Sequence, residues 1–342
     1  MIKRKTIEKI FLLTTTIAIL LVMHLHKLMY LPADPAGAPV IVMIERGDAF
    51  STITQRLFKK GVINDKKGFK LAGLIKGAHS KLKVGAYDLS SSMTPVEILN
   101  VLVSGKTKKH RVTFPEGYTI WDMAALLLNK KLLDEQGSKK FINLAMDPIF
   151  SKGLGVEGGT LEGFLFPDTY DFNYGVSVEE ILRILVSRFN EIYDKELRYL
   201  ELPRGFTIGD IVTLASIVQK ETGVVEEMAL ISSVFHNRLL KGYRLQSDPT
   251  IIYGIMRIRE FNGNLTRKDL KEKTAYNTYV IYGLPPGPVA NPGKDALIAA
   301  YRPANENYLY FVSKNDGTHK FSKNLAEHNK AVRFYQKEYF RK

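Results

Sequence analysis

Residues 207–222 read TIGDIVTLASIVQKET and contain the signals of a buried α-helix. The opening threonine, followed three residues later by Asp210, matches the capping-box pattern and predicts that the helix begins directly after that threonine. Apolar side chains recur with helical spacing at Leu214 and Val218, which places them on one buried face. Because the surrounding residues 161–342 mix α and β patterns, the helix is predicted to lie in an α+β domain.

Gln219 is the polar residue of this helix that most resembles part of a site. It lies about 100° around the helix from Val218. Its neighbours one turn away, including Ala215 and Ser216, are small, so a substrate could approach this face. The alternative is an ordinary exposed polar residue on a solvated face.

Glu221 follows Gln219 by two residues, which turns its side chain about 200° away from that of Gln219. It therefore shares the apolar face and cannot simply replace a group at position 219 in the same cleft. The pattern favours a structural ion pair of Glu221 with Arg238 or Lys220.

Further short motifs surround this helix in a fixed order. They are LEGFLFPDTY at 161–170, VFHNRL at 234–239, LQSDPTIIYG at 245–254, AYNTY at 275–279, GLPPGPVANPG at 283–293, YLYFV at 308–312, GTHKF at 317–321 and EHNKAV at 327–332. Together with the helix, they resemble the catalytic domain of the endolytic murein transglycosylases, the MltG or YceG-like family. Their order and spacing make a chance agreement over this length implausible.

The resemblance implies that position 219 is catalytic. In the family a glutamate at this point of the helix is the catalytic acid, and here its place is taken by Gln219. An amide has no acidic proton, so the chain is expected to bind its substrate and to be inactive or nearly so. Either an engineered Glu→Gln replacement or a natural loss would explain the glutamine, and the intact flanking motifs favour the first.

Other site residues are assigned to the same motifs. Glu162 is the expected second carboxylate of the site, with a structural acid beside Gly163 as the alternative. Hydrogen-bonding and aromatic side chains are expected to hold the sugars, although the tyrosines could equally belong to the core. The predicted substrate-binding residues are Ser216, Glu221, Asn237, Gln246, Ser247, Asp248, Tyr253, Tyr276, Asn277, Thr278, Asn291 and His319.

The implied reaction needs a single carboxyl group. It protonates the leaving glycosidic oxygen while positive charge develops on the sugar. It then accepts the proton of the muramic acid 6-hydroxyl, which closes a 1,6-anhydro ring without water. The resemblance implies cleavage of the MurNAc-β-1,4-GlcNAc bond in nascent peptidoglycan strands, terminating strand elongation beside the peptidoglycan synthases. A non-catalytic peptidoglycan-binding scaffold and a muramidase-type hydrolase remain as alternatives.

The N-terminus has the pattern of a membrane anchor. A basic tail, residues 1–6, precedes an apolar segment over residues 7–31, which is long enough to span a bilayer. A cleaved signal peptide is disfavoured, because His24 and Lys27 stand where small residues would be needed. The basic tail predicts a single-pass protein of the cytoplasmic (inner) membrane, with its N-terminus in the cytoplasm and its catalytic domain extracytoplasmic or periplasmic.

The sequence divides the rest of the chain into three parts. Residues 40–110 resemble a LysM-like α/β domain of the kind that binds N-acetylglucosamine polymers, with a purely architectural role as the alternative. Residues 111–160 are predicted to form a second small βα unit and an irregular connector, and residues 161–342 the catalytic domain. The second unit is predicted because Val42–Ile63 aligns without gaps on Val112–Leu133.

Composition limits the partners and cofactors. The 342-residue chain has a net charge of +14 and no cysteine. The charge fits an anionic partner such as lipid headgroups or the cell wall, but no basic run interleaved with aromatic residues indicates nucleic acid. No metal site is predicted, because His319 and His328 lack further ligands at short spacing. No cofactor is expected. The expected partners are peptidoglycan strands, the membrane and peptidoglycan synthases.

Overall fold

A computed structural model describes residues 2–45 and 47–338 of the chain, and the side-chain surroundings of residues 7–45 and 47–336. The described part is a mixed α+β protein, which confirms the α+β part of the predicted fold class. It divides by its internal contacts into two units. The first extends to Arg111 and includes Asp171–Val176, and the second comprises Val112–Tyr170 and the residues from Ser177 onward.

The first unit contains the N-terminal helix and a small α/β module. Its helices are α1 (Ile2–Tyr30), α2 (Phe50–Lys59), α3 (Lys66–Ile75) and α4 (Pro95–Ser104), and its strands are β1 (Pro39–Ile44) and β2 (Gly85–Ser90). The two strands pair antiparallel, with Val42 opposite Tyr87. The helix α4 begins at Pro95, and Thr94 and Glu97 form its capping box.

The helix α1 is apolar over Ile7–Tyr30, long enough to cross a bilayer. Its large apolar side chains between Ile7 and Met23 are exposed, as Leu12 is at 68%. Its last turns instead pack against α3 and α4, and Met29 belongs to the core of the module. The end of the apolar helix is therefore fixed to the folded part of this unit.

The second unit is mainly helical. Its helices are α5 (Ile120–Asn129), α6 (Glu135–Ala145), α7 (Pro148–Gly153), α8 (Val178–Ile192), α9 (Ile208–Glu221), α10 (Val225–Leu240), α11 (Asp248–Met256), α12 (Lys294–Tyr301) and α13 (Leu325–Val332). Its C-terminal strands β5 (Tyr310–Ser313) and β6 (His319–Ser322) pair antiparallel. The remaining strands, β3 (Lys109–Thr113) and β4 (Thr169–Asn173), pair with each other.

The connector predicted to be irregular within 134–160 is helical over much of its length, so that prediction was wrong. The helices α6 and α7 form here because Asp134 and Asp147 cap their first turns by accepting backbone N–H groups. Their short lengths gave little periodic signal.

The internal repeat is present in the structure. The strand–helix pair β1–α2 begins at residues 39 and 50, and β3–α5 begins at 109 and 120, a constant offset of 70 residues. The turn glycines Gly47 and Gly117 both have left-handed backbones, with φ of 91° and 75°. The predicted second βα unit therefore has a strand, a turn and a helix at the corresponding positions.

The helix α9 is the centre of the second unit. Thr207 and Asp210 form the predicted capping box, and the helix begins at Ile208 as predicted. Every residue from Ile211 to Val218 is buried, because α10, α11 and α12 all pack on this helix. Only the two terminal turns of the helix can therefore present side chains to a site, and the C-terminal one carries Gln219 and Glu221.

Candidate active site

The side chains of Gln219 and Glu221 leave the last turn of α9 in different directions, as the helical geometry predicted. Gln219 Oε1 accepts a hydrogen bond from the Gly293 backbone N–H at 3.0 Å. Gln219 is also hydrogen-bonded to the side chain of Glu116. Burial and the charge of Asp295 raise the pKa of Glu116, while the bond from Gln219 lowers it. Gln219 thus joins two loops to the helix.

The small residues beside Gln219 do not form an open face. Ala215 and Ser216 are fully buried. The Ser216 hydroxyl donates to Thr213 O at 2.7 Å and accepts the Val289 N–H at 2.9 Å. The part of the predicted sugar-accepting surface that Ala215 and Ser216 were expected to form is therefore interior, and these small side chains pack closely against neighbouring segments. Ser216 is a structural residue.

Glu221 faces a different environment. Its Oε1 accepts a 2.6 Å hydrogen bond from Ser247 Oγ. Burial raises the pKa of Glu221 to about 7; the bond from Ser247 opposes this shift, Asp248 adds to it and Arg238 opposes it. Such a carboxyl is substantially protonated at neutral pH, which is the state a general acid requires.

The ion pair predicted for Glu221 does not form within the described part of the chain. Lys220 Nζ instead donates to Gly117 O. The Arg238 guanidinium is hydrogen-bonded to backbone carbonyls, including Leu309 O and Leu245 O, both at 2.7 Å. Arg238 therefore acts on Glu221 through its nearby charge rather than through a direct bond.

Glu221 opens into a cleft of about 470 Å³, within the usual size of ligand sites. Aromatic, amide, acidic and basic side chains share its walls. The lining residues are Glu221, Arg238, Leu245, Gln246, Asp248, Tyr279, Tyr310, Phe311, Leu325, His328 and Asn329. Of the predicted substrate-binding residues, the structure thus brings together Glu221, Gln246 and Asp248 at the cleft, with Ser247 bonded to Glu221.

The cleft walls are held rigidly. Tyr279 OH donates to Asp248 Oδ1 at 2.7 Å, and the Arg238 guanidinium lies 5.1 Å from the centre of the Tyr310 ring. Gln246 has a left-handed backbone, with φ of 53°, which is uncommon for a residue with a Cβ. Strained residues of this kind are frequent at functional sites, where surrounding contacts impose the conformation.

Glu162, the expected second carboxylate, is fully buried. Its carboxylate oxygens accept bonds from the Ile120 N–H at 3.2 Å and from Asn291 Nδ2 at 2.8 Å. Burial raises the pKa of Glu162 to about 8. Because the side chain is enclosed, it cannot contact a sugar, and the structural alternative is the better description.

Asn291 is likewise internal. Its Oδ1 accepts the N–H groups of Gly163 and Leu165, and its Nδ2 donates to Tyr118 O as well as to Glu162. The amide therefore ties three separated segments together and has no surface left for a ligand.

The two predicted tyrosines belong to an aromatic cluster. Tyr253 is 2% exposed, and its ring lies between those of Trp121 and Tyr276, at 5.4 and 4.9 Å. Tyr276 is half-buried and its hydroxyl accepts a bond from Arg257. Tyr253 is thus a core residue, in agreement with the alternative stated for the tyrosines.

The other predicted binding residues also have structural partners. Asn237 Nδ2 donates to Glu306 O and Tyr308 O. The remaining three are Asn277, which donates to the carbonyls of Asp269, Leu270 and Glu272; Thr278, which is bonded to Ser247 and Thr250; and His319, whose Nδ1 lies 2.7 Å from Glu227 Oε2. None of these four lines the cleft.

Tyr310, His328 and Asn329 line the cleft but were not predicted as site residues. His328 stacks on Tyr310 at 5.1 Å, and its Nδ1 is buried without a hydrogen-bond partner among the described residues. Burial lowers the pKa of His328, with a further contribution from Arg238. The motif EHNKAV at 327–332 was the available signal, since it places polar residues on a helix near the chain end.

The helix, the cleft and the motifs can now be compared with known proteins. The model of the YceG-like family matches residues 42–334. The chain belongs to the YceG-like family. An endolytic murein transglycosylase of Bacillus subtilis is 34% identical over 315 residues, which cover 86% of this chain and 84% of the relative.

Two further comparisons agree with this YceG-like assignment. An endolytic murein transglycosylase of Streptococcus pneumoniae is 28% identical over 321 residues, which cover 86% of this chain but only 58% of the relative. A crystal structure of a YceG-like protein from Listeria monocytogenes is 32% identical with a TM-score of 0.57, and covers 86% of this chain and 100% of that one.

Proposed function

We propose that this protein is a membrane-anchored lytic transglycosylase with Glu221 as its single catalytic acid and base. It cleaves the MurNAc-β-1,4-GlcNAc bond within peptidoglycan strands and leaves a 1,6-anhydro-MurNAc end. The observation that carries the proposal is a carboxyl group at the wall of the cleft with its pKa raised to about 7. The names of the Bacillus and Streptococcus relatives support the substrate and the reaction.

The first step is protonation of the glycosidic oxygen by Glu221. The carboxyl must be protonated before the reaction and must release its proton as the bond breaks. A pKa near the working pH satisfies both needs, because a large fraction of the group carries the proton and the proton remains acidic. The leaving sugar departs with that proton, while positive charge develops on the muramic residue.

The second step returns the proton to the same group. The Glu221 carboxylate accepts the proton of the muramic acid 6-hydroxyl, and the oxygen attacks the anomeric carbon to close the anhydro ring. Ser247 donates a hydrogen bond to one carboxylate oxygen, which fixes its orientation and leaves the other oxygen for the substrate. Arg238 stabilises the carboxylate between the two steps by its nearby positive charge.

A single carboxyl suffices for this sequence of steps. Asp248 also lines the cleft, but it is exposed and accepts the Tyr279 hydroxyl. A hydrolase would instead have to hold a water for attack from the cleft, so the end group of the product separates the two reactions.

On this proposal Gln219 is a structural residue and the chain is active. Its bonds to Gly293 and Glu116 support the structural role, as does the burial of its small neighbours. The expectation of an inactive Glu→Gln form is thereby replaced. The two assignments of the catalytic position, 219 or 221, predict opposite outcomes for Gln219→Glu and Glu221→Gln.

The location follows from α1. Its apolar length supports a single-pass anchor in the cytoplasmic membrane, with the catalytic unit on the extracytoplasmic side, where peptidoglycan synthases extend the strands. A glycan-binding role of a LysM-like module in residues 40–110 is part of the proposal, supported by its small antiparallel α/β architecture.

The deciding experiment compares the wild-type chain with Glu221→Gln, Gln219→Glu and Glu116→Gln on uncrosslinked glycan strands, with product masses as the readout. The proposal expects anhydro ends, lighter by one water, from all forms except Glu221→Gln. Product with reducing ends would identify a hydrolase. Activity found only in Gln219→Glu would restore the missing-acid hypothesis, and cleavage by Glu221→Gln at the wild-type rate would refute the proposal.

A further inference from the structure

The outer face of α3 combines exposed apolar and basic side chains. Leu71, Leu74 and Ile75 are 39, 58 and 53% exposed. Lys66, Lys67 and Lys70 are exposed on the same helix. We call these six residues the α3 outer face. The opposite face of the helix, with Phe69 and Ala72, is buried in the module. On the α3 outer face, Lys66 donates to Gln55 Oε1 and lies over the Phe58 ring, whereas the leucine and isoleucine side chains remain exposed.

The position of α3 is tied to the end of the apolar helix. Both elements belong to the first unit, and α3 packs on α1. A Cβ placed on Gly68 would lie 2.7 Å from Leu28 Cδ2, so the Leu28 side chain in the last turns of α1 packs directly against the α3 backbone. Because the apolar segment ends at Tyr30, α3 lies at the height where a spanning helix leaves the hydrocarbon.

The charge of this region fits an anionic surface. Residues 59–83 contain eight lysines and one acidic residue, Asp65. Asp65 is used as the N-cap of α3. Lysines beside exposed leucine and isoleucine are the composition of helices that lie in the headgroup layer, with their apolar side chains in the acyl boundary.

We propose that the α3 outer face lies on the extracytoplasmic surface of the membrane that α1 spans, and binds its anionic headgroups. The leucine and isoleucine side chains enter the interface, and the lysines contact the phosphates. The inference rests on the anchoring part of the proposed function and is independent of the catalytic residue. It makes the first unit a platform held at two points rather than a domain on a free tether.

The absence of cysteine allows a direct test. The full chain is reconstituted in nanodiscs of phosphatidylcholine, with or without phosphatidylglycerol, and a fluorescent NBD group is attached to Leu74→Cys. The control is Leu240→Cys at the end of α10, which is 84% exposed. We expect emission at position 74 to be blue-shifted, about twofold stronger than at 240, and quenched by headgroup-region nitroxide lipids.

The charge is tested separately with Lys67→Gln and Lys70→Gln together. In the anionic discs, the double variant should lower the ratio of membrane-inserted to water-exposed label at position 74 about tenfold. Added salt should lower this ratio as well. Leu71→Cys is the second labelling site if Leu74→Cys does not fold. A label at 74 that resembles the 240 control, in protein that co-elutes with the discs, would overturn the inference. Protein that elutes apart from the discs would refute the anchor itself, whereas peptidoglycan cleavage by the same samples reports on the catalytic proposal alone.

Discussion

Replacement of Glu221 by glutamine should abolish activity and stabilise the fold in a pH-dependent way. Glutamine retains the shape and can still accept the Ser247 hydroxyl, so the cleft should persist. It carries no acidic proton, and a positioned acid–base group contributes roughly 10²–10⁴-fold to a rate. Since both proposed steps use the same group, we expect a loss of about 10³-fold or more.

The stability effect follows from the raised pKa of Glu221. In the unfolded chain this carboxyl ionises near its ordinary value of 4.5, and in the folded protein near 7. The folded state therefore binds the proton more strongly, and the free energy of unfolding falls as pH rises from 4.5 to 7. This loss in the free energy of unfolding is complete above pH 7 and amounts to at most about 3 kcal/mol. Because Glu221 retains some exposure to the cleft, about 1–2 kcal/mol is a more realistic value.

Thermal unfolding of the wild-type chain and Glu221→Gln between pH 5 and pH 8 measures this difference. For a unit of this size, 1 kcal/mol shifts the Tm by about 2–4 °C. We expect the variant to gain about 4 °C at pH 8 and much less at pH 5, with Glu226→Gln, an exposed acid on α10, as the control that changes little. If Glu221→Gln is destabilised equally at every pH and still cleaves glycan, then Glu221 neither has a raised pKa in the folded protein nor acts as the catalytic acid.

Three further substitutions test the architecture around the cleft. Asn291→Ala removes the buried partner of two backbone amides and of one Glu162 carboxyl oxygen, and should lower the free energy of unfolding by about 3 kcal/mol or more in urea titrations. Gly163→Ala should destabilise the protein far more than Gly159→Ala. Both glycines have positive φ, but only at position 163 would the new Cβ lie 2.5 Å from a neighbouring side chain. Equal losses of Tm in the two variants would contradict this expectation. Arg238→Lys keeps the charge but loses the fork that holds two backbone segments, so kcat/KM should fall about tenfold while the pH optimum stays in place. A displaced optimum would mean that the arginine geometry, rather than its charge, sets the pKa of the acid.

Local chemistry made the helix starts predictable. The capping boxes at Thr94 and Thr207 depend on residues three positions apart, and both helices begin where the sequence indicates. The same reasoning failed for the short helices capped by Asp134 and Asp147, because six to eleven residues give too little apolar periodicity for a pattern to emerge.

The site was only half predictable for a related reason. The helical angle between positions 219 and 221 follows from sequence alone, and the structure has the two side chains facing apart. Which of the two faces is open depends on distant segments: Gly293 and the loop of Glu116 cover one, whereas the other meets Ser247 and the cleft. These contacts join residues 26 to 103 positions apart, and such contacts leave no signal in a local pattern.

The C-terminal end of α9 has an electrostatic consequence. The aligned peptide dipoles of a helix place about half a negative charge at its C-terminus. Glu221 is the last residue of this buried helix, so its carboxyl sits within that field. The field opposes ionisation of the acid before the reaction, and it favours a sugar whose anomeric carbon becomes positive during bond cleavage. One backbone element would thus hold the proton in place and attract the charge that forms when the proton is given up.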